Sequence, residues 1–381
     1  MQKLNNTDKY IYDTIVIGAG IAGCSVAYFL QKKGQDILVV DRSGIAASGG
    51  SGAAGAFVSP KIGKGSALQT VTNKAYSFAK DFYKKSFPEY FHQTGVIRIP
   101  KDEEDAKKFS QYEPHNDTQY HNISKEQLEA LGINGDDSFL FDEAGVCDAP
   151  KLCEAILSNI PHTQFDVSQI KYQDGLWDIG KYRGENIVLA TGYENTLVDL
   201  KYMGIKGTWG SRGDYRSNLV LDKSMHKSIS ISANIDGVIK IGATHVKSAN
   251  PCIECKGEPL SELFDKASDI VNTDDFELLE TYCGMRSGSK DYFPLVGEVI
   301  DVAKMFETYP KITSGSRVKE PFHRLTNLYV CNGLGGRGFV LGPLMGKILA
   351  DYIVDKKKID ERVHPDRLFL KWCRKSKELE R

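Results

Sequence analysis

Apolar positions along this chain fall into two patterns, short unbroken runs and strict alternations, and the two predict different sheets. Ile15-Val16-Ile17, Ile37-Leu38-Val39-Val40, Ile187-Val188-Leu189-Ala190 and Leu328-Tyr329-Val330-Cys331 are unbroken. Such runs predict strands covered on both faces, as in a parallel sheet between helices. Helix-spaced apolar positions accompany them from Ile21 to the Lys33-Gly34 stop, from Leu152 to Ile160 behind the N-cap candidate Asp148 and Pro150, and from about Pro343 to Ile353. By contrast, Val96-Ile97-Arg98-Ile99-Pro100, Ser228-Ile229-Ser230-Ile231-Ser232 and Val238-Ile239-Lys240-Ile241-Gly242 alternate, as half-buried antiparallel strands do. The last two face each other across the turn Asn234-Ile235-Asp236-Gly237. The pattern predicts an α/β chain: one domain assembled from three separated segments, with an antiparallel-sheet α+β domain inserted twice.

Composition narrows this picture. A chain of 381 residues with 41% hydrophobic content suits two cores. Thr14 to Leu30 carries no charge, but its glycines fit a strand, turn and helix, so no membrane span is expected. The polar leader from Gln2 to Lys9 lacks a signal peptide's apolar core, making the cytoplasm the expected compartment. Eight scattered cysteines agree with a reducing environment, and the isolated Cys252-Ile253-Glu254-Cys255 reads as a loop pair, so no metal is expected. A net charge of −1 predicts no nucleic-acid affinity by itself. The charge is uneven, however: Lys356 to Arg381 holds ten Lys/Arg against five Asp/Glu, and Lys311 to Arg324 four against one.

The chemistry begins where the first run meets Gly18-Ala19-Gly20-Ile21-Ala22-Gly23. This spacing is that of a dinucleotide cradle, with Gly18 for the tight turn, Gly20 for backbone approach to a pyrophosphate and Gly23 for close helix packing. The helix N-terminus then offers free N–H groups to anionic oxygens. Asp41, at the end of the second run, is placed to accept hydrogen bonds from ribose hydroxyls. These residues leave NAD and FAD both open. The small residues Ala47 to Gly55, the strand end Thr191-Gly192 and the loop Gly335-Gly336-Arg337-Gly338 favour a larger cofactor.

Those segments, together with Cys283 to Gly297 and His364-Pro365-Asp366-Arg367, resemble the FAD-dependent D-amino-acid-oxidase-like superfamily of glycine, sarcosine and D-amino-acid oxidases. Within it the chain is most similar to the oxidoreductase half of the bifunctional enzymes that mature the wobble uridine of tRNA. The resemblance implies a Rossmann-like FAD-binding domain (1–80, 145–205 and 325–381) and a substrate domain (81–144 and 206–324). It implies non-covalent FAD, held by Gly18, Gly20, Ile21, Ala22, Gly23, Asp41, Arg42, Ser48, Ser51, Gly52, Ala53, Gly55, Thr191, Gly192, Gly335, Gly336, Arg337 and Gly338. Cys283 stands one position from where some relatives attach flavin.

Arg286 is implied to grip the substrate carboxylate, a structural salt bridge with Asp291 or another acid being the alternative. Arg337 is implied either to supply positive potential to the flavin or to tie its loop to an acid. The implied reaction is hydride transfer from a carboxymethylaminomethyl group, giving an imine that water splits into glyoxylate and aminomethyl-uridine, with oxygen as electron acceptor. The methyltransferase half has no counterpart here, so only the oxidative step is expected, with a possible separate methyltransferase downstream. Partner expectations place tRNA on Lys311–Arg324 and Lys356–Arg381, with Phe369 and Trp372 able to stack on a base. A soluble amino-acid or amine oxidase, and a flavin-containing RNA-binding protein without turnover, remain the alternatives.

Overall fold

The computed structural model describes residues 10–247, 258–319 and 321–376. The leader, the Cys252/Cys255 pair and the end of the basic tail lie outside them.

The unbroken runs form the parallel centre of the first sheet, in the order Arg324–Asn332, Arg183–Leu189, Ile11–Ile17, Ile37–Asp41 and His162–Gln164. Both faces are covered. Val16, Val39 and Val188 pack under the helices Ile21–Gln31, Ala67–Ser86, Ala149–Leu157 and Gly338–Asp355. Ile15, Leu38 and Ile187 enter a second core with Tyr202, Met305 and Phe369. Each such aliphatic side chain, fully buried, contributes about 2 kcal/mol.

The helix Gly338–Asp355 starts ahead of Pro343, which therefore lies inside it rather than at its beginning. A proline there leaves the carbonyl four residues earlier without its N–H donor. That carbonyl belongs to Phe339, and the Tyr83 hydroxyl donates to it at 2.9 Å.

Leu295–Ile300, which falls in the segment expected for the substrate domain, pairs antiparallel with Arg324–Asn332 in the first sheet. Leu295, Val299 and Ile300 are buried in its second core, so the chain returns to this sheet about thirty residues before the expected boundary at 325. Phe91–His92 likewise pairs with Gly145–Cys147, which also holds Phe57–Val58, in a small sheet of its own.

The second large sheet runs Glu277–Gly288, Lys206–Arg216, Val238–Gly242, Ser230–Ile231, Ser224–His226, Val96–Arg98, Ser138–Phe141 and His121–Ile123. The expected hairpin is present, with Ile231 opposite Ile241. One junction is parallel rather than antiparallel, with Ser224, Met225 and His226 beside Val96, Ile97 and Arg98. The two insertions meet there, and no hairpin dictates direction between strands so far apart in sequence. Ile97, Ile99, Ile229, Ile231, Ile239 and Ile241 form one face, packed with Leu260, Leu263 and Ala267. The alternate residues Arg98, Ser228, Ser230 and Lys240 face an internal cavity.

Candidate active site

That cavity, of about 1280 Å³, extends from the glycine turn to the second sheet. It exceeds the roughly 300–1,000 Å³ of a pocket for a drug-sized ligand. At the glycine end the backbone is pressed against itself. Gly18 has φ +109°, and a Cβ there would lie 2.4 Å from the Ala190 carbonyl oxygen; one on Gly23 would lie 1.9 Å from that of Gly18. The Asp41 carboxylate accepts the Ala19 N–H at 2.9 Å and, on its other oxygen, the Ser43 N–H and hydroxyl at 2.9 and 2.6 Å. The first helical N–H is not free: Ile21 donates to Ser51 Oγ at 3.0 Å. The Ser51 hydroxyl keeps its own proton to donate. Arg42 lines the exposed rim, where Glu194 receives both its terminal nitrogens at 2.5 and 2.6 Å.

Gly23, Gly52 and Ala53 do not line the cavity, whereas the other sequence candidates do. Loop 47–55 folds onto the strand Glu277–Gly288, with a Cβ on Gly50 falling 2.5 Å from the Met285 carbonyl oxygen and one on Gly284 falling 2.8 Å from Ala53 Cβ. Small residues here serve packing, while Gly49, Gly50 and Ala54 of the same loop line the cavity.

Where the sheets meet, Asn332 Nδ2 donates to the Gly192 carbonyl at 2.8 Å, and Ser287 Oγ lies 3.0 Å from that carbonyl and 2.7 Å from Asn332 Oδ1. This knot fixes the edge strand that carries Arg286. Arg286 sits opposite Thr208, its guanidinium over Gly210, where a Cβ would come within 2.3 Å of Nη2. It donates to the Thr244 carbonyl at 2.9 Å. Among the described residues it has no acidic partner, because Asp291 is held by Arg367 through bonds of 2.8 and 2.9 Å. Among the described residues Arg337, just ahead of the helix Gly338–Asp355, also lacks an acid and has only the Ser59 carbonyl at 3.5 Å. Burial pushes both guanidinium groups below their ordinary values.

Sequence reasoning missed most of the remaining cationic wall. Arg98 is pushed down to about 9 by burial and by nearby Arg337, with Asp105 opposing. Burial, Arg337 and Arg98 lower Lys61, and burial with these arginines keeps His226 neutral. Burial, then Arg286, lowers His245. Arg212 differs in being neutralised by Asp214 at 2.7 Å and stacked 4.1 Å over Tyr282. The alternation at Val96–Pro100 marked Arg98 as polar, but no motif marked it as functional.

Cys283 also lines the cavity, but its sulfur is disulfide-bonded, a pairing the expected reducing environment does not anticipate. Cys24, Cys147, Cys153, Cys331 and Cys373 are free and buried. No group of three or more His, Cys, Asp or Glu able to hold a metal ion occurs among the described residues. Nor is any helix among them long and apolar enough to cross a membrane.

The two basic segments are partly tied to each other. Arg324 forms a two-pronged pair with Asp366 and lies 3.4 Å from Glu298. Phe369 is fully buried against Tyr202 and Phe322, with ring centroids 5.4 and 5.6 Å away, and Trp372 packs on Phe306 at 6.0 Å. The expectation that Phe369 stacks on a base is therefore corrected: fully buried, with half-buried Trp372 beside it, it belongs to the apolar stripe of the amphipathic helix Asp366–Ser376. Lys311, Arg317, Lys319, Lys371, Arg374 and Lys375 are left exposed.

Residues 13–352 match the family model described as DAO, FAD dependent oxidoreductase. The chain is similar to the tRNA 5-methylaminomethyl-2-thiouridine biosynthesis bifunctional protein MnmC of Legionella pneumophila, with 24% identity over 94% of this chain and 57% of that protein. The protein of the same name from Shewanella amazonensis is 26% identical over 97% of this chain and 61% of its own length. The chain thus spans about three-fifths of these relatives. Its fold is that of glycine oxidase from Bacillus cereus, with a TM-score of 0.73 and 20% identity, covering 91% of this chain and 96% of the other.

Proposed function

We propose that this chain, which belongs to the FAD dependent oxidoreductase family, removes the carboxymethyl group from 5-carboxymethylaminomethyl-(2-thio)uridine at the tRNA wobble position. The products are glyoxylate and aminomethyl-uridine. The observation carrying this reading is Arg286, a half-buried guanidinium in the cavity with no acid among the described residues to neutralise it. A fork-shaped cation left without an acid is suited to a carboxylate, which it binds with two hydrogen bonds. The substrate's reacting arm is an N-substituted glycine and ends in that carboxylate.

The residues present fit FAD. The Gly18–Gly23 turn has no room for side chains at Gly18 and Gly23, and Asp41 and the Ser51 hydroxyl stand at the same end of the cavity. They would hold the cofactor non-covalently, and the disulfide-bonded Cys283 offers no free thiol for attachment. Bound there, FAD supplies the hydride acceptor.

The chain's own residues do the rest. Arg286 fixes the carboxylate and so the methylene beside it. The positive field of Arg286 and Arg337 disfavours a protonated amine, so the nitrogen keeps the lone pair that closes to C=N as hydride leaves the carbon. The nitrogen's proton passes to solvent, and water adds to the imine carbon, after which the C–N bond breaks. Arg337, ahead of the helix Gly338–Asp355, would keep positive potential beside a cofactor bound in the cavity.

Exposed Lys311, Arg317, Lys319, Lys371, Arg374 and Lys375 support contact with tRNA phosphates. The test compares anaerobic bleaching of the FAD-loaded protein by undermodified tRNA and by free glycine. The expected result is bleaching by tRNA, followed by peroxide release when oxygen is admitted. Rapid bleaching by glycine with none by tRNA would establish the amino-acid oxidase instead.

A further inference from the structure

We propose that Lys61, Arg98 and Arg337 form a second oxyanion subsite within this cavity, so that the preferred substrate is a secondary amine carrying a second anionic group besides the carboxylate held by Arg286. The three cations come from unconnected places: the segment after Phe57–Val58, the end of the strand Val96–Arg98, and the position ahead of the helix Gly338–Asp355. All three line the cavity. Among the described residues the side chains of Lys61 and Arg98 make no hydrogen bond or ion pair, and Arg337 makes only its long bond to Ser59. Gly336 joins this group to the carboxylate site, since a Cβ there would lie 3.7 Å from Arg286 Cδ.

The acids that line the cavity, Asp41, Asp166 and Glu194, form no ion pair with this group: Asp41 is engaged with Ser43 and Glu194 with Arg42. Outside the lining, Asp214, on the strand beside Lys240, is engaged with Arg212, and Asp105 acts on Arg98 without pairing with it. His226 stands in register beside Arg98, turned to Ser230 Oγ at 2.8 Å, and adds no negative charge. Cations held together away from water persist where an anion completes them. The glycine turn that would hold the cofactor's pyrophosphate belongs to the other sheet, whereas Arg98 belongs to the second sheet. The missing partner is therefore an oxyanion of the substrate. It has two sources: a phosphate of a nucleotide, which rests on the tRNA reading above, or a second carboxylate of a small amino diacid.

The experiment pairs substrates that differ in one anionic group, using the FAD-loaded protein without oxygen. Sarcosine is compared with iminodiacetate, and 5-carboxymethylaminomethyl-uridine with its bisphosphate. Flavin reduction gives kcat/KM, and perturbation of the flavin spectrum gives Kd where reduction is slow. The more anionic member of at least one pair is expected to be favoured by about 30-fold or more, and the pair that shows this names the source. Arg98→Leu and Lys61→Met each reduce that ratio about tenfold, mainly through KM, whereas Arg98→Lys restores most of it. Should Arg98→Leu fail to fold, Lys61→Met carries the same comparison.

The proposal is overturned if neither pair shows a preference, or if the preference survives in every folded variant. A preference for iminodiacetate, with both uridines inert, would uphold the subsite while removing the tRNA reading.

Discussion

The two ends of the cavity are built on opposite terms. At the glycine turn the protein satisfies itself: Asp41 accepts Ala19 and Ser43, Ser51 accepts Ile21, and Arg42 is matched by Glu194. Little charge is left over, and what remains for a ligand is shape and backbone. At the other end Arg286, Arg337, Arg98 and Lys61 form no ion pair with an acid among the described residues, so charge is left for the ligand to balance. A constant, bulky cofactor is recognised by a surface complete without it. A substrate is recognised by a deficit, which makes binding depend on what the substrate carries.

The largest effect that tests this contrast is at the glycine end. Gly23→Ala puts a methyl group 1.9 Å from the Gly18 carbonyl oxygen, forcing the first helix off its strand. The expected outcome is loss of FAD and about 4 kcal/mol of stability, read from the ratio of flavin to protein absorbance and from denaturant unfolding. If this variant retained full flavin, the claim that backbone shape governs that end would fail.

Arg286→Leu should leave the flavin bound but reduce kcat/KM by about 10²–10³-fold, or roughly 3–4 kcal/mol. Loss of flavin in parallel would mean that the arginine serves the cofactor rather than the substrate.

The smallest expected effect is in pH. His226 is held well below its ordinary value by burial, then by Arg98, Arg337, Lys101 and His245. Below about pH 6.5 the unfolded chain binds a proton that the folded one refuses, so stability falls on acidification with a slope of up to about 1.4 kcal/mol per pH unit. Thermal unfolding from pH 7.5 down to 5 should show this slope, and His226→Gln should flatten it. An unchanged slope in that variant would place the acid sensitivity elsewhere.

The same division explains what could be read from the sequence. Gly18, Gly20, Gly23 and Asp41 were legible because a tight turn and a close approach restrict residue type at fixed spacing. Arg286 was identified through family resemblance, since a lone arginine in a strand has no spacing of its own. Lys61 and Arg98 were not legible at all. Their meaning arises only when separate segments and the parallel junction at Ser224–His226 bring them to one wall. Phe369 misled for a different reason. Aromatic residues among lysines at helical spacing describe a buried stripe as well as a stacking surface, and Tyr202 and Phe322 decide between them.

The bond from Tyr83 to Phe339 spans 256 positions and mends a helix whose own proline has opened it. The helix that follows Arg337 is thus completed by a residue made long before it. During synthesis the early helix Ala67–Ser86 emerges with that hydroxyl still lacking its acceptor, and the helix Ile21–Gln31 behind the glycine turn waits for the same late partner, whose Gly342 and Gly346 pack against Ile21 and Ser25. A chain shortened before Phe339 would keep Lys61, Arg98, Arg286 and Arg337 and lose the helix that braces the glycine turn.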